Sequence, residues 1–159
     1  MNYIEARSAK HFQDTKFIFS EYQKFIGIDL SFQDFQTELA EIPGNYAAPR
    51  GAIILAYEND VCIGCVALRP ISDTICEMKR LFVKPEFQGK GIGKELTGRI
   101  VKKAKEIGYL KMRLDTLDTM ESAMHLYRQI GFNEITPYYH NPIKNARYFE
   151  CDLQRVFPS

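Results

Sequence analysis

No apolar run in the 159-residue chain approaches the roughly 18 residues that a membrane-spanning helix requires. The opening Met1-Asn2-Tyr3-Ile4-Glu5-Ala6-Arg7 lacks the basic start and apolar core of a secretory leader. Both absences point to the cytoplasm and to no membrane partner. An excess of one charge is missing too, since 21 Lys and Arg against 20 Asp and Glu leave +1. No bulk field therefore favours nucleic acid, and an anion has to be held locally. Cysteine is sparse, and in a reducing compartment Cys62, Cys65, Cys76 and Cys151 are expected as thiols. Cys62-Ile63-Gly64-Cys65 has CxxC spacing, yet no second CxxC and no His pair accompanies it. Its two cysteines sit in an apolar, strand-like run whose alternation sends positions three apart to opposite faces, so both read as structural and no metal is expected.

What remains is ordinary globular material: 45% hydrophobic, 26% charged and 13% aromatic residues. The length suits one domain, 1–159, which buries roughly 70% of the unfolded surface without disulfides. Residues 2–6 read as a strand. Ser8 caps a helix reaching about Phe25, with Phe12, Phe17, Ile18 and Tyr22 at helical spacing, and Gly27 ends it. Ser31 caps a second helix over 32–39, and residues 42–51 read as loop. Strands over 52–57, 61–68 and 74–83 follow, the first two joined by the hairpin turn Asn59-Asp60. The period then changes. Ile92, Leu96, Ile100, Ala104 and Ile107 form the apolar stripe of a helix closed by Gly108. A strand over 110–115 comes next, parallel to the preceding one because a helix intervenes. Asp118 or Thr119 caps a helix carrying Met120, Ala123, Met124 and Tyr127, which Gly131 stops. The polar-aromatic loop Pro137-Tyr138-Tyr139-His140-Asn141-Pro142 precedes a last strand over 146–153. The order β-α-α-β-β-β-α-β-α-β-β implies an α/β fold, a mixed sheet with helices on both faces.

The most informative segment is Leu81-Phe82-Val83-Lys84-Pro85-Glu86-Phe87-Gln88-Gly89-Lys90-Gly91-Ile92-Gly93-Lys94, a strand running into a glycine-rich turn that opens a helix. Such a turn exposes backbone N–H groups at the positive end of a helix, an arrangement that binds phosphate. The plainer reading is a tight connection that needs positive φ. Two phosphate motifs fail. A P-loop needs four residues between its glycines and a hydroxyl after Lys, whereas Gly89 to Gly93 is one short and Glu95 follows Lys94. A dinucleotide G-x-G-x-x-G puts Lys94 or Leu96 at the third glycine, and the antiparallel strands upstream are the wrong context, although Asp115 sits where that fold keeps its ribose acid.

Gln88-Gly89-Lys90-Gly91-Ile92-Gly93 instead has the form [QR]-x-x-G-x-[GA], and Leu126-Tyr127-Arg128-Gln129-Ile130-Gly131-Phe132 has the form L-Y-x-x-x-G-F. With both, the chain from about Ala52 to Leu153 resembles the GCN5-related N-acetyltransferase (GNAT) family, and more narrowly a bacterial subgroup of uncharacterised members. The resemblance implies acetyl-CoA as cofactor. The turn amides of Gln88, Gly89, Lys90, Gly91, Ile92, Gly93 and Lys94 would hold its pyrophosphate, and the backbone of Leu81 and Val83 would pair with its pantetheine arm. Phe82 and Ala123 complete the cofactor set. Many members carry Asn seven residues before the Tyr, whereas Met120 stands here and offers no such polar contact.

Acetyl transfer needs a neutral amine. A lysine of pKa near 10.4 costs about 4.6 kcal/mol to deprotonate at pH 7, an α-amine near 7.8 only about 1. Glu77, eleven residues before Gln88, is at the spacing where the family often places its base. It also reads as a charged residue on a half-exposed strand face, partnered by Arg80 or Lys79. Tyr127 suits a general acid for the departing thiolate, and equally a core tyrosine. The backbone N–H groups near Phe82 and Val83 would polarise the thioester carbonyl. Tyr22, Tyr46, Arg69, Arg80, Tyr138, Tyr139, Asn141 and Arg147 are candidates to line the acceptor pocket, with an arginine gripping a carboxylate. His11, His125 and His140 show no catalytic pattern. The expected activity is acetylation of a primary amine on a small or amino-acid-like molecule, by a monomer or homodimer. Protein N-terminal or lysine acetylation, a non-catalytic acyl-CoA sensor and a nucleotide-binding switch are the alternatives.

Overall fold

The computed structural model of the chain describes residues 1–28 and 34–156. Strand β1 (Asn2–Glu5) leads into helix α1 (Ala9–Ile26). Ser8 and His11 start that helix reciprocally: Ser8 Oγ accepts from the His11 amide at 3.2 Å, and His11 Nδ1 accepts from the Ser8 amide at 3.4 Å. Gly27, at φ 66°, ends it with an N–H bond to the Gln23 carbonyl. The buried residues are Thr15, Ile18 and Phe19. Phe17, expected in the apolar stripe, is 55% exposed, because two residues from Thr15 is about 200° round the helix.

Helix α2 (Phe35–Glu41) follows; the expected cap at Ser31 and start at Phe32 lie outside the described residues. The segment read as loop contains a short 3-10 turn, Gly44–Tyr46, whose tyrosine is buried. Strands β2 (Ala52–Glu58), β3 (Val61–Pro70) and β4 (Ile75–Val83) form the antiparallel meander, with Asn59 and Asp60 both at positive φ in the hairpin. Helix α3 (Ile92–Ile107), strand β5 (Lys111–Leu117), helix α4 (Glu121–Ile130) and strands β6 (Asn133–Ile135) and β7 (Ala146–Asp152) complete the order. The helix expected to begin at Asp118 or Thr119 is capped by Met120, without a side-chain hydrogen bond.

Among the described residues, seven strands make one sheet in the order β1-β2-β3-β4-β5-β7-β6. Helices α3 and α4 pack on one apolar cluster, and α1 and α2 on the other. The β2–β3 register slips by one residue at Ile63, so Cys62 and Cys65 share a face of the sheet. The opposite-face expectation is thereby corrected, while all four cysteines are buried free thiols.

Two irregularities of β4 position the site. Its parallel pairing with β5 covers only Ile75↔Lys111, Cys76↔Met112 and Glu77↔Arg113, although both strands run on. Beyond Glu77 the strands part. Against β3, the pairs Ala67↔Lys79 and Cys65↔Phe82 set two steps against three, a bulge on β4 where Arg80 takes φ 61° while buried.

Candidate active site

The gap between the parted strands opens into two connected spaces. The larger is a groove of about 650 Å³ lined by Leu81, Phe82 and Val83, by the turn residues Gln88, Gly89, Gly91, Ile92, Gly93 and Lys94, and by Ala123 and Leu126 of α4. Gly89 and Gly91 sit at φ 80° and 81°, and a Cβ on either would meet nothing within 4 Å. Backbone conformation, rather than crowding, therefore asks for glycine here. Gly91 is the N-cap of α3 and makes no side-chain cap bond, as is also true of Met120 at the start of α4. Two helix N-termini thus turn uncapped amides and positive dipole ends to one groove.

The strand edge adds further groups. The Lys84 amide bonds the Ile63 carbonyl at 2.9 Å, so by alternation Phe82 also bonds towards β3, and Leu81 and Val83 direct their backbone groups to the gap. Gln88 Nε2 holds the Val83 carbonyl at 2.9 Å. That leaves the Val83 N–H and both Leu81 groups open to an added strand. These features fit a long ligand with a diphosphate and an amide-bearing arm.

The smaller space, a cleft of about 60 Å³, lies deeper between β4 and β5. Tyr22, Lys79, Arg80, Asp115, Tyr127 and Asn141 bring its polar groups. Tyr127 is 4% exposed and packs against Phe132 and Phe149. Among the described residues no buried side-chain oxygen lacks a partner, and no hydrogen bond involves the Tyr127 hydroxyl. That hydroxyl therefore faces the open cleft. Burial, reinforced by Tyr22 and Asp115, holds its pKa above the ordinary tyrosine value.

Residues 15–132 match the acetyltransferase (GNAT) family. The chain belongs to that family. It is an acetyl-CoA-dependent N-acetyltransferase, with the mixed sheet of that fold. It is 40% identical over 144 residues, 89% of this chain and 88% of the relative, to an uncharacterized N-acetyltransferase of Schizosaccharomyces pombe. The likeness is thus not confined to bacteria. A GNAT acetyltransferase of Staphylococcus aureus superposes with a TM-score of 0.78 at 26% identity, covering 96% of this chain and 98% of the other. A GNAT acetyltransferase from Elizabethkingia anophelis, solved with acetyl-CoA bound, superposes with a TM-score of 0.57 at 26% identity, covering 70% and 81%.

In this acetyltransferase every cofactor residue expected from sequence lines the groove except Lys90, whose ammonium lies 5.3 Å from the Phe87 ring centroid. The acceptor set divides. Tyr22, Arg80 and Asn141 line the cleft, whereas Tyr46 and Arg69 line a separate hollow with Glu38 and Glu41. Tyr138 and Tyr139 form a second layer: their hydroxyls donate to Glu77 Oε2 and Asp115 Oδ2. Burial, with those carboxylates, pushes both phenols up, so they stay donors. Arg147 pairs at the surface with Glu134.

Glu77 is 2% exposed, which corrects the half-exposed reading, and its ion-pair partner is Arg69 at 2.8 Å rather than Arg80 or Lys79. It is not among the side chains lining the cleft. Arg80 is held by Glu38 through Nε and Nη2, each at 3.1 Å, and Glu38 also accepts from the Tyr46 hydroxyl at 3.0 Å. Both arginines proposed to grip an acceptor are thus matched by carboxylates of the chain itself. The sequence reading missed Lys79 and Asp115 as cleft residues. Lys79 Nζ lies 3.7 Å from Asp115 Oδ1, and burial pushes the lysine pKa down. The available signal was three charges, Glu77, Lys79 and Arg80, inside one otherwise apolar central strand.

Proposed function

We propose that this enzyme acetylates the primary amine of a small, amino-acid-like acceptor, with Tyr127 as general acid. The observation that carries the reading is the join between the spaces: the groove with the glycine turn shares the lining residues Ile26, Leu81, Leu117 and Met120 with the cleft that Tyr127 lines. In the groove, the amides at 89–94 would hold the coenzyme A diphosphate, and the open edge of Leu81 and Val83 its pantetheine arm. When bound, acetyl-CoA supplies an acyl group activated as a thioester. Tyr127 donates its proton to the departing sulfur as the amine nitrogen takes the acyl carbon, and recovers one from solvent. The cleft is too small for a folded chain, and its wall carries both signs of charge in Lys79 and Asp115, which favours a compact zwitterion.

Asp115, on the cleft wall, is the carboxylate best placed to receive the proton of the incoming ammonium. Glu77, one layer back, positions Tyr138 and Arg69. The test is coenzyme A release with a panel of amines and amino acids for the wild type, Tyr127→Phe, Asp115→Asn and Glu77→Gln. Tyr127→Phe should lower kcat about 10²–10⁴-fold. Asp115→Asn should lower it more than Glu77→Gln; the reverse order would restore Glu77 as base. Tight acetyl-CoA binding without turnover on any of these amines would overturn the small, amino-acid-like acceptor.

A further inference from the structure

We infer that the join between groove and cleft is an acyl-length filter and that Met120 sets its aperture. The inference rests on the reading that acyl-CoA occupies the groove. Four residues line both spaces: Ile26, Leu81, Leu117 and Met120. They come from the end of α1, the β4 bulge, the end of β5 and the N-cap of α4. Their side chains carry no charge and no hydrogen-bond donor. A thioester carried in the groove and attacked from the cleft has its acyl group inside this ring. A ring of this composition excludes water and reads an acyl chain by size alone. The cleft beyond offers only about 60 Å³, which the acceptor must share.

Met120 differs from its three neighbours in being unbranched and adaptable. Its backbone is fixed at both sides, the amide bonding the Leu117 carbonyl at 3.0 Å and the carbonyl accepting from the Met124 amide at 3.1 Å. Its Sδ accepts from Thr116 Oγ1 at 3.6 Å. The side chain therefore projects from a rigid base and is steadied at the sulfur, so its length sets how much of the ring is filled. Removing it enlarges the ring without moving the strands or the glycine turn.

Two readouts test this on the full chain. The first is the kcat/KM ratio for butanoyl-CoA over acetyl-CoA. The second, without acceptor, is the calorimetric Kd of butanoyl-CoA relative to coenzyme A. One methylene in an apolar pocket is worth about 10- to 200-fold. Met120→Ala should therefore raise the kinetic ratio by about tenfold or more and tighten butanoyl-CoA binding relative to coenzyme A. Met120→Leu, which conserves volume, should keep both ratios within about threefold of the wild type. If Met120→Ala lacks a cooperative thermal transition, Leu117→Ala takes its place with the same expectation. A wild type that uses the two thioesters equally, or truncations that leave both ratios within about twofold, overturns the filter. A wild type that fails to bind coenzyme A at all overturns instead the reading beneath it.

Discussion

The chemistry proposed for Tyr127 depends on a phenol that keeps its proton until sulfur leaves. Burial first, then Tyr22 and Asp115, holds its pKa above the ordinary tyrosine value. The sign follows directly: the acid is competent while protonated and fails only as pH rises past that raised value. The acceptor has the opposite requirement, since it attacks only as the neutral amine. With an acceptor whose amine titrates near about 7.8, kcat/KM should climb through that pH and stay level to about pH 10. Stopped-time assays of coenzyme A release across pH 6 to 10 check this. A falling limb within that range that Tyr127→Phe abolishes would contradict the raised phenol, whereas one that survives the substitution belongs to another group of the cleft, such as the buried Lys79. The neighbouring arginines teach a different lesson. Arg80 and Arg69 read from sequence as candidates to grip a substrate carboxylate; each is instead matched by a carboxylate of the chain, Glu38 or Glu77. A one-letter string shows a charge but not its partner, and these partners lie 42 and 8 residues away.

At the scale of elements, the strand-turn-helix from β4 to α3 carries the site. Gly91 is at φ 81° with open space around it, so Gly91→Ala strains the turn by about 1–2 kcal/mol without a clash. Gly98 lies within α3, where a Cβ would also meet nothing within 4 Å and no left-handed φ applies. Gly98→Ala should stabilise the fold by about 0.5–1 kcal/mol. Thermal unfolding and coenzyme A titration separate the two: Gly91→Ala loses stability and weakens binding by about tenfold, whereas Gly98→Ala gains stability and binds as before. Equal effects on binding would contradict a site at the turn. The elements themselves were largely legible. The stripe of α3, the glycine stops at Gly27, Gly108 and Gly131, and the parallel β4–β5 pair all follow from local periodicity and chirality. The β4 bulge, the parting from β5 and the cap at Met120 were not. Each is a property of pairing between distant segments, and no residue at Arg80 or Met120 announces it.

Across the whole molecule, the fold lays out a path. A sheet covered by α3 and α4 on one face and by α1 and α2 on the other parts between two central strands. The wide mouth of that parting holds the glycine turn, and the narrow end holds Tyr127. The glycine turn and the L-Y-x-x-x-G-F segment made the family and the lining of the groove readable in advance. The acceptor side was less so, because Tyr138 and Tyr139 reach Glu77 and Asp115 only after the chain has folded back along β5. Among the described residues no helix is long and apolar enough to cross a membrane. The most direct measurement is a crystal structure of the chain grown with coenzyme A. The account predicts the diphosphate on the amides of residues 89–94 and the sulfur within hydrogen-bond reach of the Tyr127 hydroxyl. A coenzyme bound elsewhere, or a sulfur remote from Tyr127, would contradict it.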